Sequence, residues 1–409
     1  MADAAYDYRP VPEADVEEFR RLVTYAFRPT ERPDPLDSED DLPAPARIGA
    51  RRGIYEGEEL LCTGRHYWFT HRIRGERHAV GGVSAVSTPP KNRRRGLVRR
   101  LLAESLAEYR ERDHDVASLW PFEYEFYRTF GWATASRTGE ARFAPDALDF
   151  LDALDAAGRF VDLDADRWAD CEAVYRAATD HALSMYRTEE WWRKRVFAGW
   201  EDDPYVAGWE RDGDLRGYLV YDIDDGDDGR VMTVSEWWGV DTEARLELLR
   251  FCRYHDSQVG RVTLHGPVDP TLQDLVRDPE AVTVEVNPGA MVRLVDVERA
   301  LSALAYPTDA EVTVRLAVED PLAEWNRGRF HLDVRDGRAT CERVTAGADA
   351  AAGEGADATL SVGALSQLAV GYRSAGDLAR HGRLDADEST VAALETALPR
   401  EETFLAERF

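Results

Sequence analysis

The chain has 409 residues, with 51 basic and 78 acidic side chains and a net charge of −27. That balance argues against general nucleic-acid binding, which needs clustered, uncompensated Lys and Arg, and an apolar content of 44% excludes a wholly disordered polyanion. No apolar run reaches the roughly 18 residues of a membrane span, and the start MADAAYDY lacks a secretory signal's basic flank and apolar stretch, so a cytoplasmic protein without a membrane partner is expected.

At roughly 150 residues per domain, the length suggests two or three domains. The first segment, 1–145, opens with a helix over 11–27, followed by an acidic, Pro-rich loop over 28–47. Strand-like stretches follow at 47–57, 59–73 and 78–88, and the last runs through PPKNRRRG into a helix that starts at Leu97. Its apolar positions Val98, Leu101, Leu102, Leu106 and Tyr109 recur at spacings of three and four, one face of a helix. The strand VASLW and the aromatic stretch PFEYEFYRTFGW come next.

The second segment, 146–295, echoes the first. Helices at 166–183 and 188–197 precede strands at 204–210, 215–223 and 230–240, then a helix at 242–258 and a strand at 261–267. The order strand, strand, helix, strand is repeated, but GVDTEARL puts an Asp-Thr cap where the first half has arginines. The repeat is expected to keep the scaffold and lose an anion-binding loop. The third segment, 296–409, reads as a helix at 297–304, a strand at 311–320 and a hairpin over 327–344 turning at Asp336-Gly337. A mobile, Gly/Ala-rich loop is expected at 346–357, then a short strand and small helices to 398. Phe404, Leu405 and Phe409 make the final residues apolar, so that end is expected to dock.

Only Lys91 and Lys194 are lysines. Excess carboxylates with almost no lysine suit concentrated salt, where charges are screened, so a halophilic cytoplasm is expected. Cys62, Cys171, Cys252 and Cys341 are scattered and read as buried or half-buried free thiols, and His66, His71 and His78, in a hairpin region, read as surface or packing residues; no metal is expected.

The sharpest signal is the junction Arg93-Arg94-Arg95-Gly96-Leu97-Val98 between a strand and a helix. A glycine, unpaired first-turn N–H groups and the helix dipole make a pyrophosphate site, and the arginine fork grips phosphate oxygens. In so acidic a chain, this local reversal of sign points to an anionic ligand.

R-x-x-G-x-(G/A) in that place resembles the acyl-CoA pyrophosphate loop of GNAT acetyltransferases. The longer string GGVSAVSTPPKNRRRGLVRRLL…VASLWPFEYEFYRTFGWATAS resembles the Eis (enhanced intracellular survival) family. Position 98 departs from the strictest pattern, holding Val in place of a small residue. The resemblance implies an α/β (α+β) chain of two tandem GNAT-like domains, the second degenerate, and a C-terminal sterol-carrier-protein-like domain supplying a terminal carboxylate. It implies that Val86, Ser87 and Thr88 pair with the pantetheine arm, and that Arg94, Arg95, Gly96, Leu97, Val98 and Arg99 hold the pyrophosphate. Phe122 and Glu123 match a second CoA-contact pair, commonly Ser-Glu, which Phe122 does not fit. Tyr127 matches the general acid, and Phe409 the C-terminal aromatic whose carboxylate is the base. Acetyl-CoA is the implied co-substrate and a hexamer the implied assembly.

Amine attack on a thioester needs a proton acceptor for the amine and a donor for the thiolate. A phenol with pKa about 10 stays protonated and can donate, whereas an α-carboxylate near about 3.5 needs burial or a relaying water to act as base. No GxSxG or Cys–His pattern favours an acyl-enzyme, so direct transfer is expected. The acceptor is expected to be a cationic small molecule or a lysine-bearing partner — a polyamine, lysine or aminoglycoside-like amine — drawn by acidic walls. The rival readings are a CoA-sensing module without turnover and a lipid or acyl carrier built on the third segment.

Overall fold

The computed structural model describes residues 6–33, 35, 38–155, 158–227, 229–344 and 355–409. Of the Gly/Ala-rich loop expected at 346–357, residues 346–354 lie outside that set, as do 34, 36 and 37 of the acidic loop.

Three mixed sheets carry the chain. The first runs in the order Asp7–Pro10, Ala50–Glu56, Glu59–Ile73, Glu76–Ser87, Val116–Leu119, Met291–Leu294 and Ala133–Thr134. Its helix Leu97–Glu111 lies where the periodicity put it, burying Leu101, Leu102, Leu106 and Tyr109. The second sheet runs Val282–Pro288, Arg137–Phe143, Arg261–Gly266, Gly229–Gly239, Asp214–Gly226, Tyr205–Arg211 and Arg159–Asp162. The third has five strands, Arg338–Val344, Gly328–Arg335, Val312–Glu319, Ala358–Ser361 and Leu384–Ala386. The hairpin at Asp336-Gly337 forms as the turn residues require, both at positive φ.

The two larger sheets interlock. Met291–Leu294, far along the chain, inserts between Val116–Leu119 and Ala133–Thr134 of the first sheet. Arg137–Phe143, from the first segment of the sequence, pairs within the second sheet between Arg261–Gly266 and Val282–Pro288. The inserted strand also ties in the third unit. Leu294 N–H donates to Ser366 Oγ at 2.8 Å, Arg293 forms a fully buried ion pair with Asp320, and Gln367 reaches the Thr134 carbonyl at 2.6 Å. Such a pair resists separation because removing one member strands a buried charge. No helix among the described residues is long and apolar enough to cross a membrane.

Candidate active site

The site is built on a fault in the strand Glu76–Ser87. It pairs in parallel with Val116–Leu119 only over Val80–Val83, so Ser84–Ser87 part from that neighbour. On its other edge the register slips: Thr63 faces Ser87 but Arg65 faces Ser84, and Ala85 takes a φ of 50°. An extra residue in one strand is a β-bulge, which leaves backbone groups unpaired and re-aims side chains. Two cavities meet this bulge.

The first, about 620 Å³, is lined by Val86, Ser87 and Thr88, the loop residues Arg93, Arg94 and Gly96, the helix start Leu97–Arg99, and Phe122, Phe126 and Phe130. Gly96 is the helix N-cap with φ 77° and no side-chain cap, so the first-turn N–H groups face a ligand unobstructed. A Cβ there would meet no atom within 4 Å; glycine is required by conformation, not by space. Arg93 Nε is anchored on the Thr88 carbonyl at 3.1 Å, and Arg99 on the Pro321 carbonyl at 2.5 Å. Arg94 is exposed and has no hydrogen bond or ion pair among the described residues.

Two expected contacts lie elsewhere. Arg95 turns away to Tyr6 Oη, just before the strand Asp7–Pro10, and to Glu56, at the end of Ala50–Glu56, both at 3.0 Å, which offer it acceptors. Glu123 caps the short helix Tyr124–Arg128, accepting from Glu125 N–H at 3.3 Å, and does not line the cavity. Phe122, 61% exposed, does line it, offering a ring where the family pattern has a hydroxyl. Arg94→Ala should therefore weaken acetyl-CoA binding about tenfold or more at moderate salt, and Arg95→Ala much less, which calorimetry can read.

Tyr127 lies just behind this wall. It is 3% exposed, and its ring meets Phe122 and Phe126 at centroid distances of 5.4 and 5.3 Å. Burial pushes its phenol well above the ordinary value, with Cys62 close enough to add to the shift. All four cysteines are buried free thiols, each pushed up to about 12, chiefly by burial. A buried, neutral thiol is a poor nucleophile.

The second cavity, about 580 Å³, includes Tyr67, Ser84, Ala85 and Phe409; Phe27 borders both cavities. The ring of Phe409 packs on Phe69 and Tyr67, at 4.7 and 5.4 Å. A Cβ on Gly82 would come within 2.4 Å of Phe69 Cε2 and 3.1 Å of Phe409 Cε2, so a side chain there would displace the Phe69 ring and crowd that of Phe409. The docked tail is held at several points. Phe404 N–H bonds the Ala182 carbonyl at 2.9 Å, Leu405 is fully buried, and Trp120 Nε1 donates to the Glu407 carbonyl at 2.6 Å. Arg187 bridges Glu407 at 2.6 Å and Glu236 at 2.7 and 2.9 Å; burial alone would lower its pKa, but both carboxylates hold it well above the usual value.

The walls of this cavity correct the expectation of acidity. Among the described lining residues, Arg28, Arg32, Arg65 and Arg195 stand with the carboxylate side chains Glu31 and Glu201, so the walls carry both signs and a strong basic share. Composition sets the average surface, not the sign of one concave patch. Sequence reasoning also missed Phe27, Phe126 and Phe130, whose apolar periodicity reads as core; Arg93 belongs to the same arginine run and was legible there.

The second half repeats this geometry without the anion site. Gly229–Gly239 pairs in parallel with Arg261–Gly266 only over Val231–Val234. The following helix Thr242–Arg253 is capped by Asp241, which accepts from Ala244 N–H at 2.9 Å and pairs with Arg216. A carboxylate fills the place a phosphate would take.

Family models for an acetyltransferase (GNAT) domain match residues 7–135 and 183–294, and one for a sterol carrier protein domain matches 297–406. An uncharacterised N-acetyltransferase of Streptomyces griseus is 30% identical over 368 residues, 85% of this chain and 87% of that one. The chain belongs to the GNAT N-acetyltransferases of the Eis family. The N-acetyltransferase Eis of Mycobacterium tuberculosis is 26% identical over 332 residues, 75% of this chain and 77% of its own. Solved structures share the fold. An N-acetyltransferase of Anabaena variabilis matches with a TM-score of 0.83 at 20% identity, covering 99% of this chain and 100% of that one. An Eis protein of Mycobacterium abscessus gives 0.74 at 24%, with the same coverages. This Eis-family enzyme is an acyltransferase whose GNAT domains imply acetyl-CoA as co-substrate and an amine as acceptor.

Proposed function

We propose that the enzyme moves the acetyl group directly from acetyl-CoA to a primary amine, with Tyr127 as general acid and the Phe409 carboxylate as base. The observation that carries this reading is the bulge at Ala85, which sets an arginine- and glycine-lined cavity and the Phe409 cavity against one strand. In this reading the backbone of Val86, Ser87 and Thr88 takes the pantetheine arm, and Arg94, Gly96, Leu97, Val98 and Arg99 hold the pyrophosphate. The ammonium gives one proton to the Phe409 carboxylate, directly or through a water. The freed nitrogen pair attacks the thioester carbon and forms the C–N bond. The C–S bond breaks with its electrons on sulfur, which takes the Tyr127 proton. The second nitrogen proton restores the tyrosine, and the products are an amide, free CoA and one proton.

A three-part division at 145/146 and 295/296, with strands exchanged across those limits, a cytoplasmic, salt-rich setting and a hexameric assembly complete the proposal. The test compares the chain with a copy carrying a few residues after Phe409, each assayed for CoA release from amines in KCl. The extended copy should lose about 10²–10⁴-fold in kcat, since the carboxylate becomes an amide and the charge moves away. Equal rates would remove Phe409 as the base.

A further inference from the structure

Two arginines in the Phe409 cavity stand out from the rest of the chain. Arg65, on the strand Glu59–Ile73, is only 7% exposed, and its Nε is buried without a hydrogen-bond partner. Its guanidinium lies 5.8 Å from the centroid of the Phe19 ring. Arg195 stands over Trp191 and Trp200, at 5.2 and 5.6 Å, and donates to the Arg408 carbonyl. Neither forms an ion pair with a described residue, and burial lowers the pKa of Arg195, with the charge of Arg65 adding to the shift. Other buried arginines of this chain are matched: Arg52 with Glu108, Arg187 with Glu236 and Glu407, Arg293 with Asp320.

Holding a buried Arg65 near a half-buried Arg195, with no Asp or Glu side chain among the described residues paired to either, costs stability. Planar guanidiniums over aromatic rings, with free N–H edges in a cavity, are built to receive an oxyanion in bidentate fashion. The same pair repels a polycation, so it discriminates by exclusion as well as by attraction.

We infer that the acceptor is an amine that also carries a carboxylate, an amino-acid-like molecule whose carboxylate is held by Arg65 and Arg195 while its amine reaches the thioester. This rests on the acetyl-transfer reading above and narrows its acceptor. Of the expected classes, lysine fits and the polyamines and aminoglycosides do not.

Matched amines differing only in the carboxylate test it: lysine against cadaverine and tyrosine against tyramine, assayed by CoA release at saturating acetyl-CoA and moderate salt. The carboxylate-bearing member should be favoured about tenfold or more in kcat/KM. R65Q and R195Q should bring that ratio toward one, with the acetyl-CoA Kd unchanged in calorimetry. A merely structural role would alter melting without moving the ratio. Ratios at or below one in the unaltered chain, or ratios unmoved in both variants, overturn the inference and leave acetyl transfer standing. A preference for phosphoethanolamine over ethanolamine, with none for lysine or tyrosine, overturns the carboxylate in favour of a phosphate. No CoA release with any of these amines overturns both readings.

Discussion

Tyr127→Phe should lower kcat by about 10²–10⁴-fold while leaving acetyl-CoA affinity and melting close to those of the unaltered chain. The ring contacts with Phe122 and Phe126 survive, because only the hydroxyl is removed from a residue already buried in the apolar cluster with Val83, Val86 and Trp132. The phenol is held neutral by its burial, so at working pH it has a proton to give to a departing thiolate. Loss of activity together with loss of CoA binding would mean a packing role instead. Retained activity would pass the acid role to a water. The informative measurement is CoA release set beside calorimetric affinity on the same preparation.

The part of this site that local chemistry encodes was legible without a structure. A strand, three arginines, a glycine and an amphipathic helix lie within a few tens of residues, and each local preference agrees with the final conformation. Arg95 bonds Tyr6, just before the first strand, and Glu56, at the end of the second, and no local pattern announces that either lies beside the loop. The strand Met291–Leu294 is only four residues long and buried on both faces, so it offers neither alternation nor helical period. Arg65 and Arg195 show the same limit at the level of charge. In sequence each sits beside other polar residues; only folding brings them to one cavity, where neither is paired with an Asp or Glu side chain among the described residues. The apolar tail was legible as a docking segment, but its anchor was not, since Glu407 reads as an ordinary solvated carboxylate.

That anchor carries the largest expected effect on stability. Arg187 and Glu407 are each 1% exposed at the side chain, and Glu236 completes the bridge with Tyr218 and Tyr175 donating into it. Arg187→Met fills much of the same volume but leaves two carboxylates facing each other in the interior. Removing one partner of a buried pair costs about 3–5 kcal/mol, far more than an intact pair contributes, because the stranded charge has lost its solvent and its partner together. Melting should fall accordingly, and the tail should become cleavable by protease before the sheets unfold. Glu407→Gln is the milder comparison: Arg187 keeps Glu236, and the Tyr175 hydroxyl keeps an amide oxygen to donate to. Because Glu407 lies two residues from Phe409, Arg187→Met should also cut kcat well below its melting temperature, where the fold is intact, without changing the acetyl-CoA Kd. A variant that melts lower yet turns over at the full rate would separate the anchor from the chemistry and count against Phe409 as the base. One that neither melts lower nor slows would show that the bridge holds nothing in place.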